Sequence, residues 1–119
     1  MKILIIDDEI QVAELLAAAV TQQGHEAMVA HDGTEGLALV ARQRPDAVFL
    51  DIKMQELDGI DVLRRLRAMD ATLPVIVITG HAEPGQLDEA RRLGVTEVLE
   101  KPFILNRLTG ALAGLAGLG

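Results

Sequence analysis

Three blocks of four residues, Ile3-Leu4-Ile5-Ile6, Ala47-Val48-Phe49-Leu50 and Val75-Ile76-Val77-Ile78, are apolar without a break. A strand with one face in water alternates apolar and polar residues, whereas a strand covered on both faces does not. The blocks therefore predict interior strands of a parallel sheet with helices packed on both sides. Two weaker strands are expected near Glu26 to Ala30 and Thr96 to Leu99. In the second, Thr96 and Glu97 interrupt Val95, Val98 and Leu99, a pattern that suits a sheet edge.

The segments between the strands repeat with the helical period. Val12, Leu15, Leu16, Ala19 and Val20 follow the i, i+3, i+4, i+7, i+8 stripe. Leu37, Val40 and Ala41 repeat it more briefly after Gly33. Ile60, Leu63, Leu66 and Met69 form a third stripe, with Arg64, Arg65 and Arg67 placed largely on its wet side. Leu87, Ala90 and Leu93 give a fourth helix stopped by Gly94, and Leu105, Leu108, Leu112 and Leu115 a fifth. Gly24, Pro45, Pro74 and Gly94 mark the points where helices give way to strands. Five βα units imply an α/β fold, a doubly wound parallel sheet with right-handed crossovers. No linker or low-complexity tract interrupts the chain, so a single domain over residues 1–119 is expected. The last helix is its weak point, since Gly110, Gly114 and Gly117 each cost about 1 kcal/mol relative to Ala.

Composition excludes several functions. The chain has no Cys, which removes disulfides, thiolate zinc sites, iron–sulfur clusters and a cysteine nucleophile, and agrees with a reducing compartment. A formal charge of −7 argues against direct nucleic-acid binding, and two Phe as the only aromatics leave little to stack on a base or a flavin. Apolar runs such as Leu15 to Val20 fall far short of the roughly 18–20 residues of a spanning helix. Ile3 to Ile6 is likewise shorter than the roughly 7–15 residues of a signal-peptide core. A soluble, cytoplasmic domain with no membrane partner is expected.

In an open α/β sheet, ligands bind beyond the carboxyl ends of the strands. This chain places Asp7, Asp8 and Glu9 after the first strand, Asp51 after the third, Thr79 after the fourth and Lys101-Pro102 just past the fifth. Each has a plainer reading. Asp8 can cap the first helix with Gln11 completing a capping box, Asp51 can open a turn, Thr79 can cap the fourth helix, and Lys101 can be a solvated loop charge. None of these explains why all collect at one edge, where clustered carboxylates repel unless a cation neutralises them. Oxygen ligands without His or Cys suit Mg²⁺. Acids, a hydroxyl and a lysine together read as phosphoryl chemistry, with Asp51 a possible carboxylate nucleophile.

The motifs Ile3-Leu4-Ile5-Ile6-Asp7-Asp8-Glu9, Phe49-Leu50-Asp51-Ile52-Lys53-Met54 through Leu57-Asp58-Gly59, Ile78-Thr79-Gly80 and Glu100-Lys101-Pro102-Phe103 resemble those of receiver domains of two-component response regulators. The resemblance runs over essentially the whole chain. It implies a flavodoxin-like five-stranded sheet in the order 2-1-3-4-5. It also implies that Asp51 accepts a phosphoryl group from the phosphohistidine of a histidine kinase or phosphotransfer protein. Asp8, Asp51 and the backbone carbonyl of Lys53 would bind Mg²⁺ directly, and Asp7 through water. Thr79 would hydrogen-bond one phosphoryl oxygen and Lys101 would pair with another, and Lys101-Pro102 resembles the family's cis peptide. A homodimer through the fourth helix, fifth strand and fifth helix is a further implication. Such a chain is not an enzyme in the usual sense, since it catalyses only its own phosphorylation and dephosphorylation.

Two positions depart from the family pattern. Gln55 stands where the family usually has Pro, and Val98 where it commonly has Tyr or Phe. Valine cannot make the inward rotamer change by which that aromatic relays movement of the threonine at position 79. The resemblance further implies that the residues two places past Asp51 and Thr79, here Lys53 and His81, flank the path of attacking water, where both would slow loss of the phosphoryl group. Rival readings are weaker. A phosphatase of the haloacid-dehalogenase kind would want a second Asp at position 53, which is Lys. No Gly-x-Gly-x-x-Gly follows the first strand, and no P-loop sequence occurs. A receiver fold used only for docking, without phosphorylation, remains the alternative from another class.

Overall fold

The computed structural model describes residues 1–54, 58–80, 83–101 and 104–118, of which 104–106 and 116–118 are described by their backbone alone. Its elements alternate strictly: β1 (Lys2–Ile6), α1 (Ile10–Gln22), β2 (Glu26–Ala30), α2 (Gly33–Gln43), β3 (Ala47–Asp51), α3 (Gly59–Met69), β4 (Val75–Thr79), α4 (Pro84–Arg92), β5 (Glu97–Glu100) and α5 (Ile104–Leu118). The five strands form one parallel sheet in the order β2-β1-β3-β4-β5. This is the doubly wound, flavodoxin-like order, with its reversal between β1 and β3.

The three unbroken apolar blocks become the three central strands, and all twelve of their residues are fully buried. Alternation along each strand divides them between two cores. Ile3, Ile5, Phe49, Ile76 and Ile78 pack with Ala13, Leu16 and Val20 of α1 and Leu108, Leu112 and Leu115 of α5. Leu4, Ile6, Val48, Leu50, Val75 and Val77 pack on the other face with Val40, Leu63, Leu66 and Ala90 from α2, α3 and α4. Burying one such Val, Leu or Ile side chain contributes about 1.5–3 kcal/mol, so this layer dominates stability.

The helical stripes shift slightly from the sequence reading. Leu15 and Met69 are 55% and 46% exposed, Ala41 is exposed, and Ala13 and Gly36 take inward positions instead. Side chains this small let the helix axis approach the sheet: a Cβ on Gly36 would lie 2.5 Å from Ile6 Cδ1. β5 begins at Glu97 rather than Thr96, and α5 continues to Leu118 with Gly110 and Gly114 on its exposed side. Arg67 is only half exposed instead of lying on the wet face. Its guanidinium donates to the carbonyls of Leu93 and Leu73, both at 2.6 Å, and of Gly94 at 3.0 Å. No helix among the described residues is long and apolar enough to cross a membrane.

Candidate functional site

The carboxyl ends of β1, β3, β4 and β5 converge on one edge. Asp51 and Thr79 are the final residues of β3 and β4, Asp7 directly follows β1, and Lys101 directly follows β5. Because β3 is central, Asp51 is carried into the interior with its strand. Asp7 and Asp51 are fully buried and Thr79 is nearly so. Behind Asp51, the start of α3 comes so near β3 that a Cβ on Gly59 would collide with the backbone of Ile52 and lie 2.7 Å from the carbonyl oxygen of Asp51. Asp58 caps that helix by accepting from the Ile60 N–H at 2.9 Å.

Both buried carboxylates use one oxygen to fix their own turn. Asp7 Oδ1 accepts from the Glu9 N–H and Asp51 Oδ1 from the Lys53 N–H, each at 2.9 Å. Their second oxygens face the shared crevice. Lys101 Nζ donates to Asp51 Oδ2 at 3.0 Å, stands 3.5 Å from Asp7 Oδ2 and also donates to the Glu9 carboxylate. Asp7, Asp8 and Asp51 each offer an oxygen, all within 4.8 Å of one another. Asp7 Oδ2 and Thr79 Oγ1 are buried without a hydrogen-bond partner among the described residues.

This crowding perturbs the charges. Burial pushes Asp7 up to about 7, and repulsion from Asp51 adds to it, while the Glu9 N–H and the Lys101 charge hold it back. Burial pulls the Lys101 ammonium down, but its hydrogen bonds to Glu9 and Asp51, with the charges of Asp51 and Asp7, leave it above its ordinary value. A single lysine set among these carboxylates leaves excess negative charge and an orphaned carboxylate oxygen. An all-oxygen donor set of this kind fits a hard divalent cation.

Residues 3–113 match the family model of the response regulator receiver domain. The chain belongs to the response regulator receiver family. It is 33% identical over 111 residues to sporulation initiation phosphotransferase F of Bacillus subtilis, an alignment covering 93% of this chain and 90% of that protein. It is 36% identical over 115 residues to response regulator MprA of Mycobacterium avium, covering 97% of this chain but 50% of MprA. The chain thus spans about half the length of the MprA regulators it matches. Among solved structures, the receiver domain of NtrX from Brucella abortus superposes with a TM-score of 0.87 at 35% identity, covering 96% of this chain and 98% of that one. Vibrio cholerae chemotaxis protein CheY4 superposes with a TM-score of 0.88 at 27% identity, covering 96% and 97%.

In this receiver domain the residues singled out by sequence fall at one edge; Asp51 does fix its own turn, but the plainer readings of Asp8, Thr79 and Lys101 do not hold. The N-cap of α1 is Glu9 rather than Asp8, and that of α4 is Glu83 rather than Thr79. Lys101 is drawn inward, its side chain only 15% exposed. Lys53 presents its N–H to Asp51 while its side chain is exposed. Val98 is half-buried against the core shared with α3 and α4. Gln55, His81 and Pro102, and with Pro102 the Lys101–Pro102 peptide, lie outside the described residues. Sequence reasoning assigned no role to Glu9 and misplaced Arg67. For Glu9 a signal existed: glutamate is not among the favoured N-cap residues, so its presence there asks for another partner.

Proposed function

We propose that this receiver domain, residues 1–119, is a cytoplasmic phosphoacceptor that takes a phosphoryl group from the phosphohistidine of a histidine kinase or phosphotransfer protein. One observation carries the reading: the buried Asp51 carboxylate meets Lys101 at 3.0 Å beside two buried oxygens, on Asp7 and Thr79, that have no partner among the described residues. Such a site is built for charge that arrives later.

An Asp51 carboxylate oxygen attacks phosphorus, forming an O–P bond as the N–P bond of the donor breaks and its electron pair returns to the imidazole nitrogen. Lys101 turns from Asp51 Oδ2 to a phosphoryl oxygen, and the Thr79 hydroxyl donates to another. Asp8, Asp51 and the Lys53 carbonyl are the residues to hold Mg²⁺, with Asp7 acting through water. When bound, the ion offsets charge on the transferring oxygens, the main requirement of phosphoryl transfer. Lys53, exposed beside Asp51, hinders the water that would hydrolyse the aspartyl phosphate to free carboxylate and inorganic phosphate. Readout to partners then runs through Thr79 to α4, β5 and α5, the surface on which a homodimer would form. Val98 packs where the family commonly has an aromatic but cannot make its rotamer change, so the relay there is altered.

Intact mass after incubation with acetyl phosphate and Mg²⁺ should show one phosphoryl adduct, absent without Mg²⁺ and absent in Asp51→Asn. Steady turnover of a phosphoester would favour a phosphatase, and no adduct at all a docking module.

A further inference from the structure

Lys101 Nζ donates to the Glu9 carboxylate and to Asp51 Oδ2 at 3.0 Å, and stands 3.5 Å from Asp7 Oδ2 as an ion-pair partner. A phosphoryl group on Asp51 brings new oxygens that need the same ammonium, and Lys101 must swing from its present acceptors to reach them. Asp51 Oδ2 gives up the ammonium as Lys101 turns to the phosphoryl group, while Asp7, buried and pinned through Oδ1 to the Glu9 N–H, cannot move aside. Glu9 can: its side chain is 58% exposed, and water will solvate it once it swings away.

The backbone supports the same assignment. Glu9 occupies the N-cap of α1, yet its side chain makes no capping hydrogen bond, and the first turn of that helix contains no acidic residue. A carboxylate there would ordinarily turn toward the helix N-terminus, where free N–H groups and the dipole favour an anion. It reaches across to the strand-five side of the site instead.

Resting on the phosphoacceptor reading, we infer that Glu9 is a positioning residue that holds Lys101 in the resting site and competes with the phosphoryl group for it. While unphosphorylated, Glu9 keeps the ammonium over Asp51. On phosphorylation the Glu9–Lys101 pair is lost and a free carboxylate is left near a phosphoryl dianion. Both effects favour the unphosphorylated state, so Glu9 sets how readily the domain turns on.

Beryllofluoride in saturating Mg²⁺ reports this without a phosphodonor. Because the chain has no Trp or Tyr, binding is followed by amide NMR titration. Glu9→Gln should bind the probe about two- to five-fold more tightly than the parent, the range of a partly exposed ion pair. Glu9→Asp, which keeps the charge but retracts it by one methylene, should fall between the parent and Glu9→Gln. Glu14→Gln, an equal charge change at an exposed position of the same helix, should match the parent. Thermal melts without the probe verify that each variant is folded. Equal or weaker binding by Glu9→Gln overturns the inference, as does Glu9→Asp binding like the parent while Glu9→Gln tightens, since charge alone would then be acting. A parent that does not bind, or an Asp51→Asn variant that binds equally well, overturns the phosphoacceptor reading itself and this inference with it.

Discussion

Arg67 and the Asp7–Asp51–Lys101 cluster lie at opposite ends of the strands, and both draw charge into the protein. At Arg67 the guanidinium meets carbonyls from the loops that enter β4 and β5, at distances from 2.6 to 3.0 Å. Burial pulls its proton affinity down, opposed by the charge of Asp70, but the donors are matched. At the other end Asp7 Oδ2 and Thr79 Oγ1 have no hydrogen-bond partner among the described residues, and Asp7 is raised to about 7. One end uses a charge to staple α3 to α4 and β4. The other leaves polar groups waiting, at a cost to stability, as expected where binding will complete the set.

The contrast can be broken most severely at Lys101. Lys101→Met leaves Asp7, Asp51 and Glu9 without their cation, and should cost about 3 kcal/mol at pH 8 without Mg²⁺. Urea denaturation should show much of that loss recovered on adding Mg²⁺ or on acidification. Arg67→Met should cost about 1–2 kcal/mol by leaving the part-buried carbonyls of Leu73 and Leu93 without their donor. Unlike the first loss, it should be the same with and without Mg²⁺ and nearly flat from pH 4 to 8. Equal Mg²⁺ sensitivity in the two variants would remove the distinction between the ends.

The smallest effect is a gain. Because Asp7 is raised in the folded protein, the folded state holds a proton that the unfolded chain has released between about pH 4 and 7. The contribution of Asp7 to stability is therefore full below pH 4 and disappears as pH rises through about 7. Asp7→Asn should accordingly stabilise the Mg²⁺-free protein at pH 8 by about 1 kcal/mol and have no such benefit at pH 4. Denaturation midpoints across that range measure it directly. A gain independent of pH would show that burial of the charge is not its source.

Much of the molecule was legible from residue order. Continuous apolar runs meant strands covered on both faces, and Ile3–Ile6, Ala47–Leu50 and Val75–Ile78 are the buried centre of the sheet. The acids and threonine lay just past those runs, and the lysine just past the weaker fifth strand, so a parallel sheet had to bring them to one edge. The helices were legible only in outline. Periodicity finds a stripe but not which of its margins touches the sheet, which is why Leu15 and Met69 are exposed while Ala13 and Gly36 turn inward.

Sequence alone determined the βα alternation, the identity of the core strands and the residue types at the site, because these follow from local pattern and strand ends. Only the tertiary structure decided which partners those residues take. Nothing along the chain says that Glu9 forgoes its own helix to reach Lys101, ninety-two positions away, or that Arg67 turns from water to the carbonyls of Leu73, Leu93 and Gly94. Long charged side chains choose among several acceptors within reach, and that choice depends on burial and distance, which exist only once the sheet and its helices have been assembled.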